Sequence, residues 1–274
     1  MVHLLAAIAT DAEHMPSLLY SLRGVAVPPP EHPDGETWGV GYYADGHALT
    51  IRKPGELVGV RNLYELAGAV KSRVLMTVIQ RGSAKAPSAA PYRFRRWLFG
   101  AIGDLSALAA ARGRIMDAIP DFITSELGGA GAGGLAFAMY LRELHQRNLL
   151  SDPMSDGPAV AEALKRAVGA MDMLAAEAGA GATAACFAAT NGRTLVVARG
   201  RGGPKVHWRR QEGLEAMPEG VAAGDPQLVA DALKRFRAVV FGADLAGSPS
   251  GWTEMSDGAT LWVDRQLSVN EVHG

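Results

Sequence analysis

The sequence predicts an α+β protein in which two sheets are packed between helices. Strand candidates cluster toward both ends of the 274 residues, around a middle with apolar residues at helical spacing. Strands and helices do not alternate regularly, as they would in a parallel sheet with crossover helices. No repeat or linker divides the chain, so we expect a single domain over residues 1–274.

The strand candidates are short apolar runs bounded by turn residues. Asp45-Gly46 and Asn191-Gly192 each separate two such runs, and dipeptides of this kind favour hairpin turns between antiparallel strands. The predicted strands span residues 4–8, 38–43, 47–52, 74–80, 97–103, 182–189, 194–199, 206–209, 238–241 and 260–264.

The helix candidates carry apolar residues three and four positions apart. The first is expected to end at Gly24, and the glycine-rich run 128–134 is expected to be a loop before a helix. That run lacks the Lys-Ser/Thr of a phosphate-binding P-loop. The predicted helices span residues 17–23, 57–70, 106–119, 135–148 and 160–177, and the predicted loops span 27–35, 82–90 and 151–158.

Bulk composition excludes several classes of protein. Hydrophobic residues make up 48% of the chain, charged residues 20%, and the net charge is −1, so nothing favours nucleic acid or an anionic membrane. The apolar run 4–9 is too short for a secretory signal or a membrane span. A single cysteine excludes an internal disulfide and is typical of a reducing compartment, so a cytoplasmic location is expected.

Few side chains suggest a cofactor or metal. Cys186 lies in the apolar run 184–188 and is predicted to be a buried strand residue rather than a reactive thiol. The seven histidines show no metal-ligand spacing. We therefore expect no cofactor and no metal.

Several segments, in order, resemble the small stand-alone branch of the class II glutamine amidotransferases. The opening Met-Val-His-Leu-Leu resembles their N-terminus, and residues 35–43 resemble their Asp-Gly-Trp-Gly-Val-Gly-Tyr-Tyr strand, with two residues inserted. Residues 97–105 resemble their Trp-Xaa-Phe-Ala-His-Asn-Gly-Xaa-Leu segment, and residues 123–126 their Thr-Asp-Ser-Glu. The resemblance extends over nearly the whole chain. It implies the four-layer αββα sandwich of the N-terminal-nucleophile hydrolases.

The resemblance also implies which groups glutamine hydrolysis would need. Removal of the initiator Met exposes a nucleophilic Cys in that family, whereas this chain has Val2. The Asn and Gly of its oxyanion hole fall on Ile102 and Gly103, so only the glycine is kept.

The groups that would hold the substrate are kept only in part. The carboxylate-binding Arg falls on Arg81 and is present. The ammonium-binding Asp falls on Thr124, beside which Ser125 and Glu126 remain. Arg81, Gly103, Thr124 and Glu126 are therefore the candidate remnants of a glutamine pocket.

These losses favour a catalytically silent protein that acts by binding, as a non-catalytic subunit or regulator. We expect a protein partner or a homo-oligomer, with a small-molecule ligand as a further possibility. The alternative is altered amide chemistry in a polar cleft lined by His3, Arg81 or Glu126. A third reading uses the basic and aromatic residues of 93–97 and 199–210 to bind nucleic acid, but solvated loops explain them better, so no nucleic acid is expected.

Overall fold

The computed structural model describes residues 2–22, 36–53, 70–81, 90–127, 131–179, 182–215, 226–245 and 250–272. For Val2 and Arg81 this description covers the backbone alone. The strands are β1 Val2–Ala9, β2 Glu36–Ala44, β3 His47–Lys53, β4 Val74–Arg81, β5 Tyr92–Phe94, β6 Trp97–Gly103, β7 Ala185–Thr190, β8 Leu195–Arg199, β9 Val206–Glu212, β10 Arg237–Ala243, β11 Thr253–Glu254, β12 Thr260–Val263 and β13 Val269–Glu271. The helices are α1 Met15–Ser21, α2 Ser106–Ala110, α3 Arg112–Ala118, α4 Asp121–Leu127, α5 Ala132–Gln146, α6 Gly157–Glu177 and α7 Pro226–Arg235.

Within the described ranges the strands form two antiparallel sheets. The first contains seven strands in the order β11-β9-β10-β1-β4-β2-β3, and the second contains six in the order β13-β12-β8-β7-β6-β5. The two predicted hairpins are present, and Asp45 and Gly46 have the positive φ angles of 50° and 78° that a tight hairpin turn requires. Strand β1 lies near the middle of the first sheet, between β10 and β4.

The sheets pack face to face, with helices on both outer surfaces. Alternate residues of β1 belong to different cores, because successive side chains point to opposite faces of a strand. Leu4 belongs to the core shared with the second sheet and helices α5 and α6, whereas Leu5 belongs to the core shared with α1 and α7. This arrangement confirms the predicted four-layer αββα sandwich.

Contacts between the sheets fix the direction of β6 relative to β1. The Tyr43 hydroxyl lies 2.8 Å from the Arg96 carbonyl oxygen, at the end of the first sheet where β1 finishes. Further along β6, Gly100 lies against Leu4, whose Cδ1 would be 2.9 Å from a Cβ at position 100. The strand therefore ends, at Gly103, near the start of β1.

The helical middle differs from the prediction in two places. The helix predicted over 106–119 is two short helices that meet at Ala111, whose ψ of 8° leaves the helical range. Gly113 follows in the first turn of α3, and glycine weakens a helix through its conformational freedom. Helix α5 begins at Ala132, inside the glycine-rich run that was expected to be a loop. A Cβ at Gly133 would meet the Tyr92 hydroxyl at 2.7 Å, so a close contact requires glycine there.

Other predicted elements begin or end a few residues from the observed ones, or lie outside the described ranges. Helix α1 begins two residues before the prediction and ends at Ser21, and α6 begins at Gly157, where the Asp156 carboxylate accepts the Ala159 N–H at 3.1 Å. The predicted helix 57–70 and loops 27–35 and 82–90 lie almost wholly outside the described residues. The elements that sequence analysis did not predict are β5, α4, α7, β11 and β13.

Substitution of Gly100 by valine should destabilise the protein, because the added carbons would lie between the sheets. Overpacking of this kind costs about 1–3 kcal/mol. The matched control is Gly169→Ala, in an open position of α6, which should stabilise by about 0.5–1 kcal/mol. Urea unfolding followed by circular dichroism measures both free energies of unfolding. Equal stability of Gly100→Val and the unsubstituted protein would contradict this account of the sheet contact.

Candidate functional site at the start of β1

The start of β1 is enclosed by strands of both sheets. Val2 pairs with Gln80 of β4, and Leu4 pairs with Ala243 of β10 on the other side. The end of β6 reaches the same region from the second sheet. Here the structure brings together the backbone of Val2 and the turn that carries Gly103.

Ile102 takes the place that the resemblance assigns to an oxyanion-binding asparagine. It lies two residues after Gly100, and therefore on the face of β6 that packs against the first sheet. Its side chain is 2% exposed and belongs to the core between the sheets. A buried aliphatic side chain donates no hydrogen bond, so this position supplies packing.

Gly103 has a backbone conformation that the turn after β6 requires. It is exposed and has a φ of 116°, in a region that favours glycine. A Cβ at this position would lie 2.4 Å from the carbonyl oxygen of Ala184. The close approach of β6 to β7 therefore requires glycine, independently of any catalytic role.

Cys186 faces Ile102 across the β6–β7 pair. It is fully buried, and burial raises the pKa of its thiol to about 12, against a smaller lowering by Arg199. The thiolate is the nucleophilic form, and its fraction at neutral pH is negligible at this pKa. The one cysteine of the chain is therefore a packing residue, as the sequence predicted.

His3 is held by the backbone of the neighbouring strand. Its ring is 3% exposed, and Nδ1 lies 2.7 Å from the carbonyl oxygen of Asp244. Because a carbonyl oxygen only accepts, Nδ1 carries the proton in this bond. The contact fixes the ring at the start of β1.

An ion-pair network joins the two sheets at this end of the sandwich. Arg199 Nη1 donates to Glu254 Oε1 at 3.0 Å and to the Met255 carbonyl oxygen at 2.6 Å, and its Nε lies 3.7 Å from Asp257. The hydrogen bond from Arg199 lowers the pKa of Glu254. The sequence predicts that Arg199 lies in a solvated basic cluster. No neighbouring residue indicates acidic partners more than fifty residues away.

A buried histidine adjoins this network. Nε2 of His207 lies 3.9 Å from Oε2 of Glu254, and neither of its ring nitrogens has a hydrogen-bond partner among the described residues. Burial lowers the pKa of His207, although Glu254 opposes that shift. The neutral ring therefore dominates near pH 7.

The other candidate residues are placed as follows. Arg81 ends β4, where its backbone pairs with Glu36. Thr124 and Glu126 lie in α4, and the Thr124 hydroxyl donates to the Asp121 carbonyl oxygen at 3.0 Å. Helix α4 also packs near the β5–β6 turn.

Contacts of Phe122 place the start of α4 at the opposite end of β6 from Gly103. The Phe122 ring centroid lies 6.3 Å from that of Phe94 and 5.1 Å from that of His145, near the turn where β6 begins. Six residues of strand, about 20 Å, separate the start of β6 from Gly103. The described contacts therefore do not bring Thr124 into a pocket with Gly103.

The aromatic residues of the first basic cluster are not available for stacking. Phe94 and Trp97 are fully buried, and Trp97 Nε1 donates to the Leu150 carbonyl oxygen at 2.9 Å. Binding of single-stranded nucleic acid depends on exposed ring faces. The Phe94 and Trp97 rings pack in the hydrophobic core.

No cluster of three metal-ligating side chains occurs among the residues that the structure describes. Within the same ranges, no helix is both long and apolar enough to cross a membrane.

Comparisons with solved structures agree with the architecture. A glutamine aminotransferase class-II domain protein from Silicibacter pomeroyi is 19% identical, with a TM-score of 0.61 over 99% of this chain and 100% of that one. A predicted glutamine amidotransferase from Pseudomonas aeruginosa is 11% identical, with a TM-score of 0.56 over 100% and 99%. A glutamine phosphoribosylpyrophosphate amidotransferase from B. subtilis is 10% identical, with a TM-score of 0.53 over 99% of this chain and 49% of that one. No protein-family model and no curated protein matches the chain.

The chain therefore has the fold of the class II glutamine amidotransferase domains, as the resemblance implied. At these identities the likeness concerns the fold alone.

The Cys186 thiol should be inert in the folded protein. With a pKa of about 12, roughly 10⁻⁴ of it is thiolate at pH 8, and burial blocks access to the sulfur. Ellman's reagent at pH 8 should therefore label no thiol in native protein and one per chain in guanidinium chloride. Rapid labelling of native protein would show that the start of β7 opens in solution.

Proposed function

We propose that this chain is a catalytically silent class II glutamine amidotransferase-like protein that acts by binding, as a non-catalytic subunit or regulator. The observation that carries the proposal is Ile102. The resemblance requires a hydrogen-bond donor at this position for the tetrahedral oxyanion, and the side chain found there is apolar and buried. Loss of one such donor typically costs roughly 10²–10³ in rate.

Neither Val2 nor Cys186 can take the place of the nucleophile. Valine at position 2 has no group that could form a covalent intermediate. Cys186 is close to Ile102 in the β6–β7 pair, but its buried thiol stays protonated. The covalent route and the donor that would stabilise its intermediate are thus both missing.

The substrate-holding groups are also incomplete. The position assigned to the ammonium-binding carboxylate is Thr124, whose hydroxyl is bonded within its own helix. Arg81 keeps the residue type that pairs with a carboxylate. One retained cation is not enough to orient glutamine for hydrolysis.

The fold supports a role in binding. Its two cores are packed, and the Arg199–Glu254 pair links the two sheets near the start of β1. The fold also covers 49% of the larger B. subtilis enzyme. A comparable domain that has lost its chemistry could still pair with an active partner or with a second copy of itself.

Two observations favour an alternative, which is altered amide chemistry in the ancestral cleft. Gly103 remains exposed, and a buried His3 ring lies at the start of β1. A backbone N–H and an imidazole can serve other reactions. This reading needs a ligand that enters beside Ile102.

Purified protein should show no glutaminase turnover and no covalent labelling by a glutamine-analogue diazoketone. Val2→Cys should not restore activity, because the donor at Ile102 is still missing. Its turnover should stay at least roughly 10²-fold below that of an active class II amidotransferase assayed in parallel. Ammonia release measures the rate, and mass spectrometry verifies the exposed N-terminus. Val2→Ala is the matched control, and appreciable turnover by Val2→Cys alone would place the pocket elsewhere.

The binding role has its own test. The tagged chain, isolated from its native host, should co-purify with a stoichiometric protein partner or elute as an oligomer in light-scattering chromatography. L-Glutamine should leave the midpoint of thermal unfolding unchanged, since a ligand that binds the folded state raises it. A monomer without partners that glutamine stabilises saturably would favour the alternative instead.

A further inference from the structure

A second recess lies at the end of the sandwich where β1 finishes. It is a cavity of about 110 Å³ between the last residues of β1, the segment before β4, and the β7–β8 turn. Its lining includes Ala9, Thr10, Arg73, Gly192 and Arg265. The eight residues of β1 separate it from the start of that strand by about 23 Å. It is thus remote from the candidate site described above.

Three arginines from distant parts of the chain meet at this recess. Arg73 and Arg265 line it, and Arg193 follows the lining residue Gly192. Among the residues that the structure describes, none of the three forms an ion pair. Burial lowers the pKa of Arg265, and the neighbouring charges of Arg193 and Arg73 lower it further. Arg193 and Arg73 are therefore close enough to Arg265 to affect its charge.

The turn beside the recess is rigid. The Asn191 side-chain oxygen accepts the backbone N–H groups of Arg193 and Thr194, each at 2.9 Å. Gly192 has a φ of 85°, and a Cβ there would lie 2.9 Å from the Tyr43 ring. The Tyr43 hydroxyl also lies 2.9 Å from the Thr190 carbonyl oxygen, which ties the turn to the first sheet. The backbone that carries Arg193 is thus held in place before any ligand binds.

Unpaired guanidinium groups around a recess are suited to an anion. A guanidinium presents several N–H donors in a planar fork that matches the oxygens of a phosphate or carboxylate. An anion between Arg73 and Arg265 would also remove the repulsion between like charges. The cavity is well below the 300–1,000 Å³ typical of pockets for whole drug-sized ligands. It is large enough for an oxyanion group alone.

We propose that the recess lined by Arg73 and Arg265, with Arg193 beside it, is a binding site for a small oxyanion, the phosphate or carboxylate group of an anionic ligand. The guanidinium groups hold the oxygens, and the remainder of the ligand extends into solvent. The site is independent of the proposed function, because it shares no residue with the start of β1.

Thermal unfolding with inorganic phosphate, methyl phosphate and acetate tests this proposal, with chloride added to keep the ionic strength constant. Phosphate or acetate should raise the midpoint saturably, as a ligand of the folded state does. Arg265→Gln and Arg73→Gln should each weaken the apparent Kd roughly tenfold or more, since each removes charge-assisted hydrogen bonds. A preference for the two phosphates or for acetate identifies the kind of oxyanion.

The matched control is Arg210→Gln, an exposed arginine of β9 that is not part of the recess. It changes the net charge equally and should leave the Kd unchanged. Titration calorimetry with inorganic phosphate provides an independent Kd, and Arg193→Gln is the second variant if Arg265→Gln does not fold. The proposal is overturned if no anion binds saturably, or if Arg210→Gln weakens binding as much as the recess variants do.

Discussion

The contact between the two sheets at Gly100 is the constraint on which the rest of the molecule depends. Leu4, Met76 and Val78 of the first sheet fill the space that a side chain at position 100 would occupy. Because β6 can approach β1 and β4 this closely, its last residues reach the start of β1. The same close packing leaves Ile102 in the core, where size and polarity matter more than reactivity.

The two ends of the sandwich differ in how their polar groups are satisfied. Near the start of β1, Glu254 and Asp257 lie beside Arg199 and compensate its charge. At the opposite end, Arg73 and Arg265 line a recess and have no acidic partner among the described residues. A paired charge is already compensated, whereas unpaired cations gain from an incoming anion. The recess lined by uncompensated cations therefore lies at the end of the sandwich opposite the start of β1.

Local patterns were sufficient to predict most of the fold. Alternating and continuous apolar runs gave β1, β4 and β6 within a residue or two, and Asp45-Gly46 gave its hairpin. Strand β11 has only two residues, too few to show the alternation of apolar and polar residues that predicts a strand. The start of α5 was not predicted because glycine disfavours helix. The contact between Gly133 and Tyr92, which requires glycine at this position, is not visible in the sequence.

The site was harder to predict, because its groups come from separate strands. Position-by-position resemblance assigned Ile102 and Gly103 to an oxyanion hole, and the inter-sheet contacts put the end of β6 near the start of β1. It did not indicate that α4 packs beside Phe94, at the other end of β6. The Arg199–Glu254 pair and the three-arginine recess depend on tertiary packing of segments dozens to hundreds of residues apart.

Burial of Ile102 also sets the cost of placing a polar side chain at this position. An asparagine there would place an amide in the space between the sheets, beside the buried thiol of Cys186. A buried polar group without partners costs about 1–3 kcal/mol, and the shorter side chain would also lose packing. An amide donor at position 102 would therefore weaken the core, whichever residue stands at position 2.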